Sequence, residues 1–154
     1  MKSLLIYDTV SEARVTEKVA MAVVEAMKEA GASVETHFIE DANKGNINDF
    51  DCLILGAPTM AWRPSKRMKD FLAGLKGNNY SGKMAATFDT QLKSSISGNA
   101  TKHMTKDLED LGFKMASPPL ISYVESENKT YKLKEGELEK AKIWGKGLAQ
   151  TLTK

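Results

Sequence analysis

The stretch Cys52-Leu53-Ile54-Leu55-Gly56 decides the fold of this chain. Its first four residues are all apolar, so both faces of the segment are suited to burial. A strand that is apolar on both faces is typical of a parallel sheet covered by helices on its two sides. We therefore predict that residues 52–56 form a central strand, and that the flanking segments supply the neighbouring strands and their crossover helices.

Toward the amino terminus, residues 4–7 form a second short apolar run and predict the first strand. From Val15 to Ala30, apolar residues recur at three- and four-residue spacing, which places them on one face of a helix. Gly31 then ends that helix. Residues 33–39 alternate polar and apolar side chains and predict a strand near the sheet's edge. Residues 41–48 form a loop with room for one helical turn.

Toward the carboxyl terminus, Pro64 fits the first turn of a helix that Gly77 ends. Residues 83–88 predict the fourth strand. A helix opening at Gly98 or Asn99 reaches Leu111. Residues 115–124 predict a fifth strand that is bent or split, because the rings of Pro118 and Pro119 cannot lie within a central ladder. The last helix spans residues 137–152.

Strands that alternate with helices in this way predict one α/β domain over residues 1–154. The expected architecture is a three-layer sandwich around a five-stranded parallel sheet. Right-handed crossovers leave few topologies, and strand order 2-1-3-4-5 suits a chain of 154 residues. In this topology the ligand crevice lies at the carboxyl ends of strands 1 and 3.

Composition and charge exclude several classes of protein. Hydrophobic residues make up 42% of the chain and charged residues 27%, as in ordinary globular proteins. A net charge of +2 without runs of like charge argues against nucleic acid as a partner. The apolar runs are too short to cross a membrane, and the first residues lack the features of a signal peptide, so we predict a cytoplasmic protein.

Few residues suit catalysis or metal binding. Cys52 is the single cysteine, which excludes an intrachain disulfide, and its apolar neighbours favour an inert core thiol over a reactive one. His37 and His103 lie on separate predicted elements without a cluster of acids, so no metal site is expected. The chain lacks a Walker-type phosphate loop, and the serines of residues 94–98 lack the glycine of a nucleophile elbow. The central strand also ends without the Asp of a phosphate-accepting receiver.

Two large side chains stand out in the loop after the central strand. Met60 and Trp62 lie on an otherwise polar segment, where they favour a flat aromatic partner. Capping of the core's edge by Trp62 remains the alternative. The segment from Gly56 through Trp62 resembles the second flavin-contacting loop of the flavodoxin family. The sequence Phe88-Asp89-Thr90, followed by residues 97–100, resembles the third loop of one branch of that family, and residues 133–145 are similar to the start of that branch's last helix.

The resemblance implies a flavodoxin-like fold that binds FMN without a covalent bond. The residues it assigns to the FMN phosphate are Thr9, Ser11, Arg14 and Thr16. Those it assigns to one side of the flavin ring are Pro58, Thr59, Met60, Ala61 and Trp62, and those on the other side are Phe88, Asp89, Thr90, Gln91 and Gly98.

The first loop, residues 8–16, departs from the family pattern. It has no Gly or Asn and is two residues longer, although the hydroxyls of Thr9, Ser11 and Thr16 remain. Glu12 would repel a phosphate that it faced. Thr9 and Glu12 also have the spacing of a capping box, in which a helix satisfies its own amide groups and leaves fewer for a ligand.

The resemblance implies an electron carrier between larger redox enzymes. The alternative is a flavodoxin-like module that has lost FMN and serves in binding or regulation, because a fold alone does not determine function. An enzyme that reduces a small quinone also fits. Four basic residues just beyond Trp62 offer a docking surface for an acidic redox partner, or else form a solvated helix face: Arg63, Lys66, Arg67 and Lys69.

Overall fold

A computed structural model describes residues 1–10, 13–60, 63–92, 99–128 and 130–153. Its described residues contain one sheet with the strand order β2-β1-β3-β5-β7-β8. The strands along this path are β1 (Lys2–Tyr7), β2 (Ser33–Phe38), β3 (Cys52–Met60), β5 (Met84–Leu92), β7 (Leu120–Glu127) and β8 (Thr130–Leu133). Two short strands lie off the path: β4 (Arg63–Pro64) pairs with β3, and β6 (Lys114–Met115) pairs with β5.

Helices cover both faces of this sheet. The helix α1 (Val15–Glu29) packs against α4 (Glu137–Leu152) on one face, where the close approach needs Gly145: a Cβ there would lie 2.8 Å from the carbonyl oxygen of Val23. The opposite face carries α2 (Lys66–Ala73) and α3 (Ala100–Asp110). Short 3₁₀ turns at Ile39–Asp41 and Lys44–Asp49 connect β2 to β3. The three-layer α/β sandwich is therefore confirmed.

The sheet confirms the predicted order of its parallel strands but is larger than predicted. Strands β2, β1, β3 and β5 are parallel neighbours, and the fifth predicted strand is split into β6 and β7, with Pro118 and Pro119 between them. The sheet has more strands than the five predicted, because β4 and β8 add antiparallel pairs. The β7–β8 turn contains Asn128 at φ 51°, the left-handed conformation that tight hairpin turns favour.

One predicted helix start was wrong, whereas α1 begins at Val15, where the apolar spacing predicted it. The capping-box spacing at Thr9 does not mark the start of α1, because the cap of this helix is Arg14, at φ 52°. Pro64 lies in β4, opposite Thr59, because residues 59 and 60 pair back onto residues 63 and 64 and so move the start of α2 to Lys66. In contrast, Asn99 caps α3 as predicted, accepting a hydrogen bond from the Lys102 amide.

The core has two halves, one on each face of the sheet, and the central strand contributes to both. Leu53 and Leu55 face α2 and α3, whereas Cys52 and Ile54 face α1 and α4. Burial raises the pKa of the Cys52 thiol to about 12, as expected for the inert core thiol. None of the helices within the described ranges is long and apolar enough to span a bilayer.

Candidate functional site

Three neighbouring strands, β1, β3 and β5, bring their carboxyl ends to one edge of the sheet. Tyr7 is opposite Gly56, and Gly56 is opposite Phe88. A large apolar side chain is exposed at or just past the end of each strand: Val10 (50%), Met60 (48%) and Leu92 (43%). Exposed apolar side chains gathered on adjacent loops are typical of a ligand-binding surface. We call this region, residues 8–10, 13–16, 58–60 and 90–92, the carboxyl edge.

The first loop of the carboxyl edge is fixed at its start by Asp8. The Asp8 amide donates to the carbonyl oxygen of Gly56 (2.9 Å), and the side chain is fully buried. Its carboxylate accepts a hydrogen bond from the Ser65 hydroxyl (2.5 Å) and forms an ion pair with Arg67 (2.7 Å). A buried carboxylate requires such partners, because removal from water disfavours the charged form.

The amino terminus of α1 lies at the end of this loop and is open to an acceptor. No described side chain caps the helix at Arg14, so its first amide groups and the positive end of its dipole suit an anion. The Thr9 hydroxyl is buried and has no hydrogen-bond partner among the described residues. Thr16 is different, because its hydroxyl is 2.8 Å from that of Thr90 and both side chains are buried.

The predicted ring-contacting residues of the second and third loops hydrogen-bond to one another. The Thr59 hydroxyl donates to Oδ2 of Asp89 (2.8 Å) and accepts from the Ala100 amide (2.9 Å). The Gln91 side-chain amide donates to the same Asp89 oxygen (2.9 Å). Burial raises the pKa of Asp89 to about 6, although both of these hydrogen bonds to its carboxylate act to lower it. Together these residues join β3, β5 and the start of α3.

Phe88 is a core residue, which corrects the prediction that its side chain flanks a flat ligand. The ring is fully buried, packs edge-on against Trp144 (centroids 6.4 Å apart), and fills the space that a side chain at position 56 would occupy. Residues alternate faces along a strand, so Phe88 faces α1 and α4 while Asp89 faces α3. Pro58, near the end of β3, is partly exposed at the carboxyl edge.

Four of the predicted site residues lie outside the described ranges: Ser11, Ala61, Trp62 and Gly98. Their assignment to the phosphate or the ring remains a prediction. No group of three or more His, Cys, Asp or Glu side chains among the described residues is arranged to hold a metal ion.

The docking surface predicted from four basic residues is only partly a free cationic surface. Arg67 pairs with Asp8 and with Glu40 (2.6 Å), and Lys66 pairs with Asp70 (2.8 Å). Arg63 and Lys69 are exposed and form no ion pair with a described residue. We predicted four basic residues for docking, and these ion pairs leave two of them without charge compensation from a described residue.

The comparisons with known proteins agree with this fold. Oxidised flavodoxin 1 from Bacillus cereus is similar in structure (TM-score 0.81, 21% identity), with 97% of this chain and 98% of that one covered. The chain has a flavodoxin-like fold. Rubredoxin:oxygen oxidoreductase from Desulfovibrio gigas also contains this fold (TM-score 0.78, 22% identity), with 99% of this chain covered but 36% of that one.

In sequence, the chain is 30% identical over 130 residues to the coenzyme F420H2 oxidase of Methanothermobacter thermautotrophicus. This match covers 80% of the chain but only 31% of the curated relative, so the chain spans about a third of that protein's length. No protein-family model matches the chain. The flavodoxin-like fold predicted from the sequence is thus confirmed.

Sequence reasoning missed the residues that hold the first loop in place. Asp8 and Ser65 drew no attention, and Arg67 was assigned to a docking surface. A charged residue directly after a buried strand was the available signal in the case of Asp8, because such a residue needs a partner once it is buried. The partner of Asp8 is Arg67, which lies 59 residues later on α2, and the sequence contains no indication of that pairing.

Proposed function

We propose that this chain binds FMN at the carboxyl edge and acts as an electron-transfer protein or domain. The observation that supports this proposal most directly is the amino terminus of α1, which no described side chain caps, together with the buried Thr9 hydroxyl, which has no hydrogen-bond partner among the described residues. Such a terminus favours a phosphate. Val10, Met60 and Leu92 add exposed apolar surface on the same edge, which suits the ring of the same ligand.

The described residues fit both the phosphate end and the ring end of FMN. Thr9, Arg14 and the first amides of α1 would hold the phosphate. Pro58 and Met60, with Ala61, Trp62 and Gly98 as predicted from the sequence, would flank the ring. The hydroxyls of Thr16 and Thr59 and the side chain of Gln91 are already paired within the protein, so they would shape the site rather than bind the ligand. When bound, the flavin supplies one- and two-electron transfer, and the polypeptide supplies binding, orientation and electrostatics.

The names of the similar proteins support a redox role. They include flavodoxins of nearly the same length and longer oxidases, of which the chain matches about a third. An electron carrier therefore remains our first proposal, with a cytoplasmic location and with Arg63 and Lys69 as the contacts for an acidic partner. A role as the flavin domain of a longer oxidoreductase fits the same site.

A second candidate function is a module without cofactor that acts in binding or regulation. The internal pairing of Thr16 with Thr90 and of Thr59 with Asp89 favours it, because these polar groups are satisfied without a ligand. The Thr9 hydroxyl argues against it, because this buried group has no partner within the part of the chain that the structure describes.

Titration of the purified chain with FMN distinguishes the two functions. We expect quenched flavin fluorescence, a shifted visible spectrum and one FMN per chain. Met60→Glu should weaken binding at least about tenfold, because it places a charge where the ring would lie. Ile143→Glu, a matched change at an exposed apolar residue of α4, should leave binding unchanged. A chain that leaves FMN fluorescence and absorbance unaltered would favour the cofactor-free module.

A further inference from the structure

Arg67 makes contacts that a residue of a solvated docking surface would not make. Its guanidinium pairs with the buried carboxylate of Asp8 (2.7 Å), donates to the carbonyl oxygen of Thr9 (3.0 Å) and pairs with Glu40 (2.6 Å). It also lies over the ring of Phe38, 5.1 Å from the centroid. One side chain of α2 therefore joins the end of β2 to the first two residues of the loop after β1.

These contacts fix the backbone of the loop as well as its side chains. Asp8 is held by its amide on Gly56, by Ser65 and by Arg67, so the chain leaves β1 in a defined direction. The described residues contain no cis peptide bond, and in a trans peptide the carbonyl and the following amide point to opposite sides. Because the Thr9 carbonyl points to Arg67, the Val10 amide points away from α2.

Charge compensation is the second consequence of the ion pair between Arg67 and Asp8. An unpaired Asp8 would place a negative charge one residue before Thr9, where an incoming phosphate would meet it. The positive charge of Arg67, which Asp8 shares with the exposed Glu40, reduces that repulsion. Arginine suits this task better than lysine, because its several donors in a fixed plane contact two acceptors on the loop and a third, Glu40, in the turn after β2 at once.

Together, the contacts and the charge point to one role. We propose that Arg67 and Asp8 form a positioning pair that holds the first loop in its phosphate-binding conformation, so that the pair sets the preference for FMN over riboflavin. This inference rests on the proposed binding of FMN. The pair takes over the task of the short, glycine-containing loop that the chain lacks. Neither residue is proposed to touch the flavin.

Riboflavin tests this role, because it has the ring of FMN without the phosphate. Dissociation constants for both flavins are measured with the wild-type chain, Arg67→Lys, Arg67→Ala and Lys66→Ala. Lys66 is the matched control, since it is adjacent, basic and paired only with the exposed Asp70 of its own helix. Substitution of a residue that positions the phosphate loop should weaken the binding of FMN alone. Substitution of a residue that supports the whole fold should weaken the binding of both flavins.

We expect the wild type to prefer FMN. Arg67→Ala should weaken FMN binding at least about tenfold and riboflavin binding less than twofold, with Arg67→Lys intermediate and Lys66→Ala unchanged. If Arg67→Ala does not fold, the same loss of selectivity in Arg67→Lys decides the question. Equal losses for both flavins, or no loss for either, would overturn the inference while leaving FMN binding intact. A wild type that binds neither flavin would instead overturn the proposed function.

Discussion

Gly56→Ala should destabilise the protein by at least about 3 kcal/mol, the upper part of the range for overpacking a core. A Cβ at position 56 would lie 2.0 Å from Cζ of Phe88 and within 2.4 Å of both Cε atoms of that ring. Phe88 is fully buried between the sheet and Trp144, and Gly56 lies in the middle of the central strand, so neither residue has free space to enter. Urea unfolding measures the change in the free energy of unfolding.

A double variant tests the cause of this loss. Leucine lacks the three ring atoms that would collide, so Gly56→Ala with Phe88→Leu should be more stable than Gly56→Ala alone. Gly147→Ala is the matched control: it lies in α4, nothing is within 4 Å of its added Cβ, and it should gain up to about 1 kcal/mol from helix propensity. Strict additivity of the two changes at 56 and 88 would rule out the proposed collision.

Asp89→Asn should stabilise the protein at pH 7.5 by up to about 3 kcal/mol and have little effect at pH 4. The pKa of this carboxyl is raised from 3.8 to about 6 in the folded protein. The folded state therefore holds a proton that the unfolded state releases. The contribution of Asp89 to stability is most favourable below pH 3.8, falls as the pH rises to about 6, and is constant above that value.

The asparagine variant separates charge from hydrogen bonding. Thr59 and Gln91 both donate to the same oxygen, Oδ2 of Asp89, so an amide oxygen in that position keeps both bonds. Unfolding free energies of the wild type and the variant at pH 4 and pH 7.5 give the comparison. A loss of stability of equal size at both pH values would contradict the account, because it would show that the hydrogen-bond geometry matters and the charge does not.

The sequence predicted the fold well because the fold depends on local patterns. Apolar runs and helical periodicity located the parallel strands and the helices, and the bounds of α4 at 137 and 152 were predicted correctly. The two antiparallel strands were missed because they are short. The strand β4 has two residues, and β8 has no alternating apolar pattern that marks burial.

The site was harder to predict, because its polar residues choose partners that are far away in sequence. Thr16 contacts Thr90, Thr59 contacts Asp89, and Arg67 contacts Asp8 across 59 positions. A motif indicates which residues gather at the end of a strand, but not which of them will pair internally and leave fewer for a ligand. The capping-box spacing at Thr9 was a misleading local pattern, because α1 begins six residues later, at Val15.

The most direct test of the central claim is an NMR titration of the ¹⁵N-labelled chain with FMN. We expect saturable shifts at one FMN per chain in the amide signals of Thr9, Val10, Val15, Met60 and Leu92. The amides around Ile143, on the opposite side of α4 from the core, should remain unchanged. Absence of shifts at saturating FMN, or shifts confined to residues away from the carboxyl edge, would show that FMN does not bind at this edge.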